Sequence, residues 1–323
     1  VNIYPYSEIP DNIPDVSCIV RPGILPEGGR MMIVGDPESG KTWLSLQLAY
    51  DIASGKNWLG YFPTQQARVL HLALEDWEKL AAPRWSKLKK LYIGARDYIY
   101  VASQPGLKLD TEKGKKALVE IIREYHIEVI IIDTWRAAIS GDENASATSD
   151  NFYFCIAEAL NEVENPPPLA TVVNHHKSKP FIYYDKGVGR MVEYDKQMHA
   201  QRGSLDLEAK QDTIVELVRG SDEEDFKAAL KFTKTKQCKT RLGRLNLKFN
   251  SNEGRFYVAG GTTAMSILEL LKISKKTTIA ELMRKLNKSR PTIDSAIDFL
   301  SSAGLVKVSG STRDKEISSS DNL

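Results

Sequence analysis

Met31-Met32-Ile33-Val34-Gly35-Asp36-Pro37-Glu38-Ser39-Gly40-Lys41-Thr42-Trp43 is the stretch on which the fold of this chain turns. Four apolar residues run into Gly-x-x-x-x-Gly-Lys-Thr, and an amphipathic segment, residues 42–54, follows. That order predicts strand, tight loop and helix, the context in which this spacing cradles phosphates. The glycines let backbone N–H groups turn inward, and the helix N-terminus adds positive potential. A chance Gly-rich turn is the competing reading, and the flanking strand and helix argue against it. Gly35, Asp36, Pro37, Glu38, Ser39, Gly40, Lys41, Thr42 and Trp43 are therefore candidate contacts for ATP. Lys41 is placed to meet the β- and γ-phosphates, and the Thr42 hydroxyl to ligate Mg²⁺.

Outward from this stretch, strand-like runs alternate with helical periods. The strand candidates are residues 31–34, 69–74, 98–101, 129–132 and 170–173; the helix candidates are 42–54, 78–91, 111–125 and 150–164. This alternation predicts an α/β core with a mainly parallel sheet covered on both faces. From Thr213 the runs are short strands, 213–218, 228–233, 245–249 and 255–258, expected as antiparallel additions at one edge. Residues 1–29, rich in proline and without helical period, predict an extended arm, so that residues 30–259 form the core domain. Gly260-Gly261 marks a linker. Beyond it come three short helical patterns (264–271, 279–286 and 291–302), the capping pair Thr278 and Glu281, and a hairpin pattern after Gly304. That is the pattern of a small winged helix-turn-helix domain over residues 263–317, with residues 318–323 expected as a disordered tail.

A phosphate loop needs a second acid for its metal. Glu128-Val129-Ile130-Ile131-Ile132-Asp133-Thr134 supplies an apolar strand ending in a carboxylate, and Asp133 is the candidate Mg²⁺ ligand. Thr134 follows it where many related enzymes carry a catalytic glutamate, so the base is sought elsewhere. The strand 69–74 ends in Glu75-Asp76 at the same sheet edge, making Glu75 the candidate for activating water. A solvated pair or a helix cap is the plainer reading of those two acids. His175-His176-Lys177 ends the next strand; His176 is a candidate γ-phosphate sensor, with a structural role or a metal ligand as alternatives.

With 323 residues, 42% of them hydrophobic, the chain has enough material for one large core and a small appended module. No run approaches the roughly 18 apolar residues of a membrane span, and Val1-Asn2-Ile3-Tyr4-Pro5 lacks signal character, so a cytoplasmic protein is expected. Cys18, Cys155 and Cys238 lack metal or disulfide spacing and are expected as reduced thiols. The net charge of +2 hides an asymmetry: from Asp225 onward there are 19 Lys+Arg against 9 Asp+Glu. Such a basic C-terminal part suits a polyanionic partner.

Taken in order, Gly35–Thr42, Val69–Asp76, Ile131–Asp133, Gly141–Asn144, His175–Lys177 and Arg202-Gly203-Ser204 resemble the RepA-type plasmid replicative helicases, within the wider RecA/DnaB-like ATPases. The resemblance spans approximately residues 20–250. It implies a RecA-like P-loop NTPase core, a homo-oligomeric ring, usually a hexamer, and ATP held between subunits. Arg202 matches the position of an arginine finger, and Lys234 with Lys236 that of a second basic finger, for which Lys239-Thr240-Arg241 is a rival. Two loops, residues 136–149 and 178–201, are expected to face the ring channel. The second carries Lys179 and Arg190 among aromatic residues, a mixture suited to single-stranded DNA. The winged module departs from the simplest members of that family. Its third helix is expected to present Lys288, Arg290 and Thr292 to duplex DNA, with Arg313 near the wing. The resulting expectation is an ATP-driven, helicase-like DNA motor of a plasmid or mobile element. An ATP-switched DNA-binding regulator and a recombinase are the alternatives.

Overall fold

The computed structural model describes residues 5, 17–177, 181–185, 190–194, 202–220, 227–238, 242, 244–259, 261–302, 305–310 and 315–319. Two short strands come first, β1 (Cys18–Val20) and β2 (Leu25–Pro26), paired antiparallel. Ile19, Val20, Ile24 and Leu25 are all buried. The expected arm is thus corrected over its second half: burying each such side chain is worth about 1.5–3 kcal/mol, which draws the segment into the core. Gly23, at φ 87, has its open side against the Gln237 carbonyl, where a Cβ would stand 2.5 Å away.

Next come β3 (Arg30–Gly35), β4 (Val69–Ala73), β5 (Ile99–Ser103), β6 (Val129–Asp133) and β7 (Ala170–His176), parallel in the spatial order β3-β7-β6-β4-β5. Helices α1 (Lys41–Ser54), α2 (Glu78–Lys89), α3 (Glu112–Tyr125), α4 (Trp135–Ala138) and α5 (Ser146–Asn161) lie between them in sequence. Alternation along each strand builds two hydrophobic layers. Met31, Ile33, Val129 and Ile131 join the cluster that holds Leu44 and Leu48 of α1. Met32, Ile130 and Ile132 join the one that holds Leu118 of α3 and Phe152 of α5. A sheet buried on both faces requires apolar residues at every position, and β4 and β6 are buried throughout. Local chemistry sets the helix ends: the Gly114 N–H donates to Thr111 Oγ1 at 3.2 Å to open α3, and His126, at φ 50, closes it.

The segment 178–201, expected as a loop, contains a hairpin of β8 (Phe181–Asp185) and β9 (Arg190–Tyr194), in which Asp185 pairs with Arg190. The other expected channel loop, 136–149, is corrected likewise: α4 takes its start, and α5 begins at Ser146 rather than Asp150. Then α6 (Arg202–Lys210) leads into β10 (Thr213–Arg219). This strand runs parallel to β3, not antiparallel at an edge as expected. The crossover through α6 is the reason, since it returns the chain in the direction of its neighbours. Only β11 (Lys227–Thr235), β12 (Arg244–Asn250) and β13 (Arg255–Val258) add antiparallel, completing a nine-stranded sheet.

The C-terminal unit comprises α7 (Gly261–Ser274), β14 (Lys276–Thr278), α8 (Ile279–Leu286), α9 (Arg290–Ser302), β15 (Val306–Ser309) and β16 (Glu316–Ser319), with the strands ordered β14-β16-β15. This is the expected winged helix-turn-helix with a third strand added. The Glu281 N–H donates to Thr278 Oγ1 at 3.3 Å, capping α8, while the Glu281 carboxylate accepts from the Thr277 hydroxyl at 3.0 Å. Two boundaries are corrected. Gly261, read as linker, opens α7, and Ser318 and Ser319, read as tail, pair with Lys276 and Val306 as part of β16. Among the described residues no helix is long and apolar enough to cross a membrane.

Candidate nucleotide site

The parallel strands end in line. Gly35 of β3 is in register with His176 of β7, and Ala73 of β4 with Asp133 of β6, so the residues at these ends share one edge of the sheet. Such an edge is where ligands of parallel sheets collect. There the chain leaves β3 through a tight turn in which Glu38 takes φ 60 and Gly40 φ 94, and α1 begins at Lys41 with no side-chain cap on its first N–H groups. Gly35 admits no side chain: a Cβ would stand 2.6 Å from the Leu217 carbonyl oxygen and 2.7 Å from Ser39 Oγ. Ser39 is buried.

Lys41 is folded onto this turn. Its ammonium donates to the carbonyls of Gly35 at 2.9 Å and Asp36 at 2.8 Å, and lies 3.4 Å from Nδ1 of His176. Burial holds the ammonium below its ordinary pKa, against the pull of Asp133, Asp36 and Glu75. His175, next to His176, is pushed down to about 4 by burial, helped by His176 and Lys41. Asn174 donates to Ser45 Oγ at 2.9 Å, tying β7 to α1.

Across the cleft, Thr134 donates its hydroxyl to Glu75 Oε1 at 2.6 Å. Asp133 is buried beside it. The cavity measures about 350 Å³; Gly40, Lys41, Thr42, Glu75, Asp133 and His176 all line it, as do Glu38, Trp43 and Thr134. Sequence reasoning missed three other lining residues. Arg84, on α2, pairs with Asp76 at 2.5 Å, and no motif marks it. Phe249 and Phe256, on β12 and β13, read in sequence as ordinary strand residues.

Other predicted residues are not among the described residues that line this cavity. Arg202 opens α6 after the β8–β9 hairpin. The Lys234 ammonium donates to the Glu208 and Ala209 carbonyls at 2.5 and 3.1 Å, and Lys236 to Ala209 at 3.3 Å, so both cap the C-terminal end of α6. Arg190 starts β9. Lys179, Arg313 and the rival segment 239–241 lie outside the described residues. In the winged unit Lys288, Arg290 and Thr292 are exposed, with Arg290 Nε 3.6 Å from Asp294 and the Thr292 hydroxyl 2.9 Å from that of Ser289.

With this geometry in place, the comparisons fall into line. The AAA domain family profile matches residues 6–180, just over half of the chain. The chain belongs to the AAA domain family. A second profile, bacterial regulatory protein of the arsR family, matches residues 262–308. Among solved structures, the KaiC-like protein PH0186 of the hyperthermophilic archaeon Pyrococcus horikoshii OT3 is similar in fold, with a TM-score of 0.50 at 11% identity, over 74% of this chain and 93% of that one. No curated protein matches the sequence. This AAA-domain chain is thus a P-loop ATPase with a RecA-like core and a mostly parallel sheet, followed by a winged-helix domain.

Proposed function

We propose that this ATPase is an ATP-driven motor on single-stranded DNA, assembled as a ring of identical subunits. One observation carries the proposal. Lys41, at the phosphate loop, is 3.4 Å from His176, and β7, which ends at His176, leads through a few residues into the β8–β9 hairpin. A change at the γ-phosphate therefore has a short covalent path to a hairpin whose strands contain Arg190, Phe181, Tyr183 and Tyr184. Basic and aromatic residues together suit phosphate neutralisation and base stacking. Arg202, the first residue of α6, follows that hairpin and is the proposed finger onto a neighbour's γ-phosphate. Lys234 and Lys236 brace the far end of the same helix and are assigned as its support and second basic finger.

Within the cleft, the loop amides and Lys41 bind the triphosphate, and Glu75, oriented by Thr134, takes the proton of the attacking water. The oxygen donors Thr42 and Asp133 line the same cavity and fit Mg²⁺, a hard cation that prefers oxygen ligands. That ion, when bound, neutralises charge on the phosphates. Arg84 joins the set when its pairing with Asp76 yields to an anionic ligand.

A second reading has its own support: the C-terminal match is to a bacterial regulatory protein family, and Lys288, two residues before α9, and Arg290 and Thr292, in its first turn, are exposed. In that reading the winged unit binds duplex DNA and ATP sets the assembly state. Single-stranded DNA separates the two. A motor's steady-state ATP hydrolysis rises at least about tenfold on adding a single-stranded oligonucleotide, coupling worth about 1.4 kcal/mol in the barrier. An unchanged rate removes the motor and leaves the switch.

A further inference from the structure

β4 is buried along its length and apolar at every position but one. The exception, His71, is 1% exposed, and neither of its ring nitrogens hydrogen-bonds to another described residue. An imidazole keeps at least one N–H donor in either charge state. Held in an apolar layer without a partner, that donor works against folding, and a leucine would fill the same space without the penalty. A buried polar group of this kind points to a partner met when a ligand binds.

The sheet register says which partner. Val69, Val129 and Ile131 belong to the hydrophobic layer that holds Leu44 and Leu48 of α1. Side chains alternate along a strand, so His71, two residues on from Val69, and Asp133, two on from Ile131, face that same layer. Ile131 is in register with His71 and Asp133 with Ala73, which makes Asp133 the diagonal neighbour of His71 on this face, one step nearer the cleft. Strand spacing and rise put such neighbours roughly 8 Å apart by their backbones, close enough for an imidazole leaning along its strand to meet a carboxylate. The charges that act on the ring are the Asp133 carboxylate and the Arg84 guanidinium, and both residues line the cleft. On the other side of β6 the arrangement is already braced: Asn174 of β7 donates to Ser45 Oγ at 2.9 Å, and that hydroxyl donates to the Thr42 carbonyl at 3.2 Å. Asp133 thus stands between a strand tied to the phosphate-loop helix and a strand that brings the His71 imidazole.

We infer that His71 is a positioning residue for the cation site: its ring N–H donates to the Asp133 carboxylate when that group engages the metal, and so fixes which oxygen faces the ion. The inference rests on the cleft being a nucleotide and Mg²⁺ site. Carboxylates that hold metals are themselves held by hydrogen bonds, and losing such a partner costs about 10- to 100-fold in metal affinity. A second consequence separates this role from packing. An apolar residue at position 71 strengthens the ligand-free fold while it weakens metal binding.

The test is Mn²⁺ binding to the full chain with ADP, read by electron paramagnetic resonance against an ADP-only control. ADP affinity in EDTA and thermal melts of the ligand-free chain accompany it, for the parent, His71→Leu, His71→Gln and His71→Asn. His71→Leu is expected to weaken Mn²⁺ binding by about tenfold or more, to leave ADP affinity in EDTA within about twofold, and to raise the melting midpoint. Glutamine and asparagine put an amide N–H near the place of Nε2 or Nδ1, and at least one of them keeps Mn²⁺ affinity within about threefold of the parent. Unchanged Mn²⁺ affinity in His71→Leu overturns the inference, and so does a loss that neither amide repairs. A fall in metal-free ADP affinity or in the melting midpoint, in step with the loss of Mn²⁺, overturns it too, because the ring then serves packing. If His71→Leu does not fold, the nitrogen-15 shifts of the His71 ring in the parent decide: they move when Mg²⁺ is added to the ADP complex, and unmoved shifts overturn the inference. A parent that takes up no ADP removes the nucleotide site and this inference with it, a result distinct from the others.

Discussion

Replacing Thr134 by valine tests how the proposed base is aimed. Thr134 is 4% exposed, so valine keeps its branched shape in the core and removes only the hydroxyl that donates to Glu75 Oε1 at 2.6 Å. A hydrogen bond to a charged group is worth about 1.5–3 kcal/mol net. Glu75 is exposed, and solvent weakens what its partner gains, which brings the figure to about 1–2 kcal/mol here. If that orientation is needed only as water attacks, kcat falls by about 5- to 30-fold while KM stays within about twofold. Phosphate release measured over a range of ATP concentrations reads both constants. A double-mutant cycle sharpens it: in a Glu75→Gln background the Thr134→Val change loses most of its effect, because the two act as one unit. Unchanged kcat for Thr134→Val, or full additivity with Glu75→Gln, refutes the reasoning.

Two further outcomes are expected. Asp51, 4% exposed on α1, accepts a hydrogen bond from the Tyr92 hydroxyl at 2.8 Å, and burial pushes its carboxyl up to about 7. From about pH 4 to 7 the folded state then holds a proton the unfolded state has released, so this group's contribution falls as pH rises through that window. Asp51→Asn keeps the acceptor and removes the slope; denaturant melts should show the variant ahead by up to about 4 kcal/mol at pH 8 and level with the parent near pH 4. A constant difference across that range would exclude Asp51 as the source. For the finger, mixed assemblies of Arg202→Ala and Glu75→Gln subunits should hydrolyse ATP faster than either variant alone, because one interface in the mixture is intact; no recovery despite verified mixing argues against action across subunits.

How much of this was legible in the sequence differs from element to element, for physical reasons. The phosphate loop announced itself because backbone geometry demands Gly35 and Gly40 at fixed spacing beside Lys41. The buried parallel strands did so through runs such as Val129–Ile132, apolar at every position. The direction of β10 did not, because Thr213–Arg219 has the same composition whichever way it pairs, and the crossover through nine-residue α6 decides it. β1 and β2 were hidden by their length of three and two residues around Arg21-Pro22-Gly23, too short for a period to show. In the cleft, Glu75, Asp133 and His176 stand at strand ends, where position in the motif order locates them. Arg84 stands mid-helix, and only its pairing with Asp76 in three dimensions brings it in. Phe249 and Phe256 look like any inward strand residues until Gln47, on a distant helix, is seen to hold their hairpin at the cavity.

The most direct measurement is steady-state ATP hydrolysis by the parent chain and by Lys41→Ala under identical conditions, with folding of both confirmed by matching thermal melts. With the Lys41 ammonium placed on the Gly35 and Asp36 carbonyls of the loop, the parent should turn over ATP and the variant should fall to background. Equal turnover by the two proteins would contradict the assignment of this cleft as the site of hydrolysis.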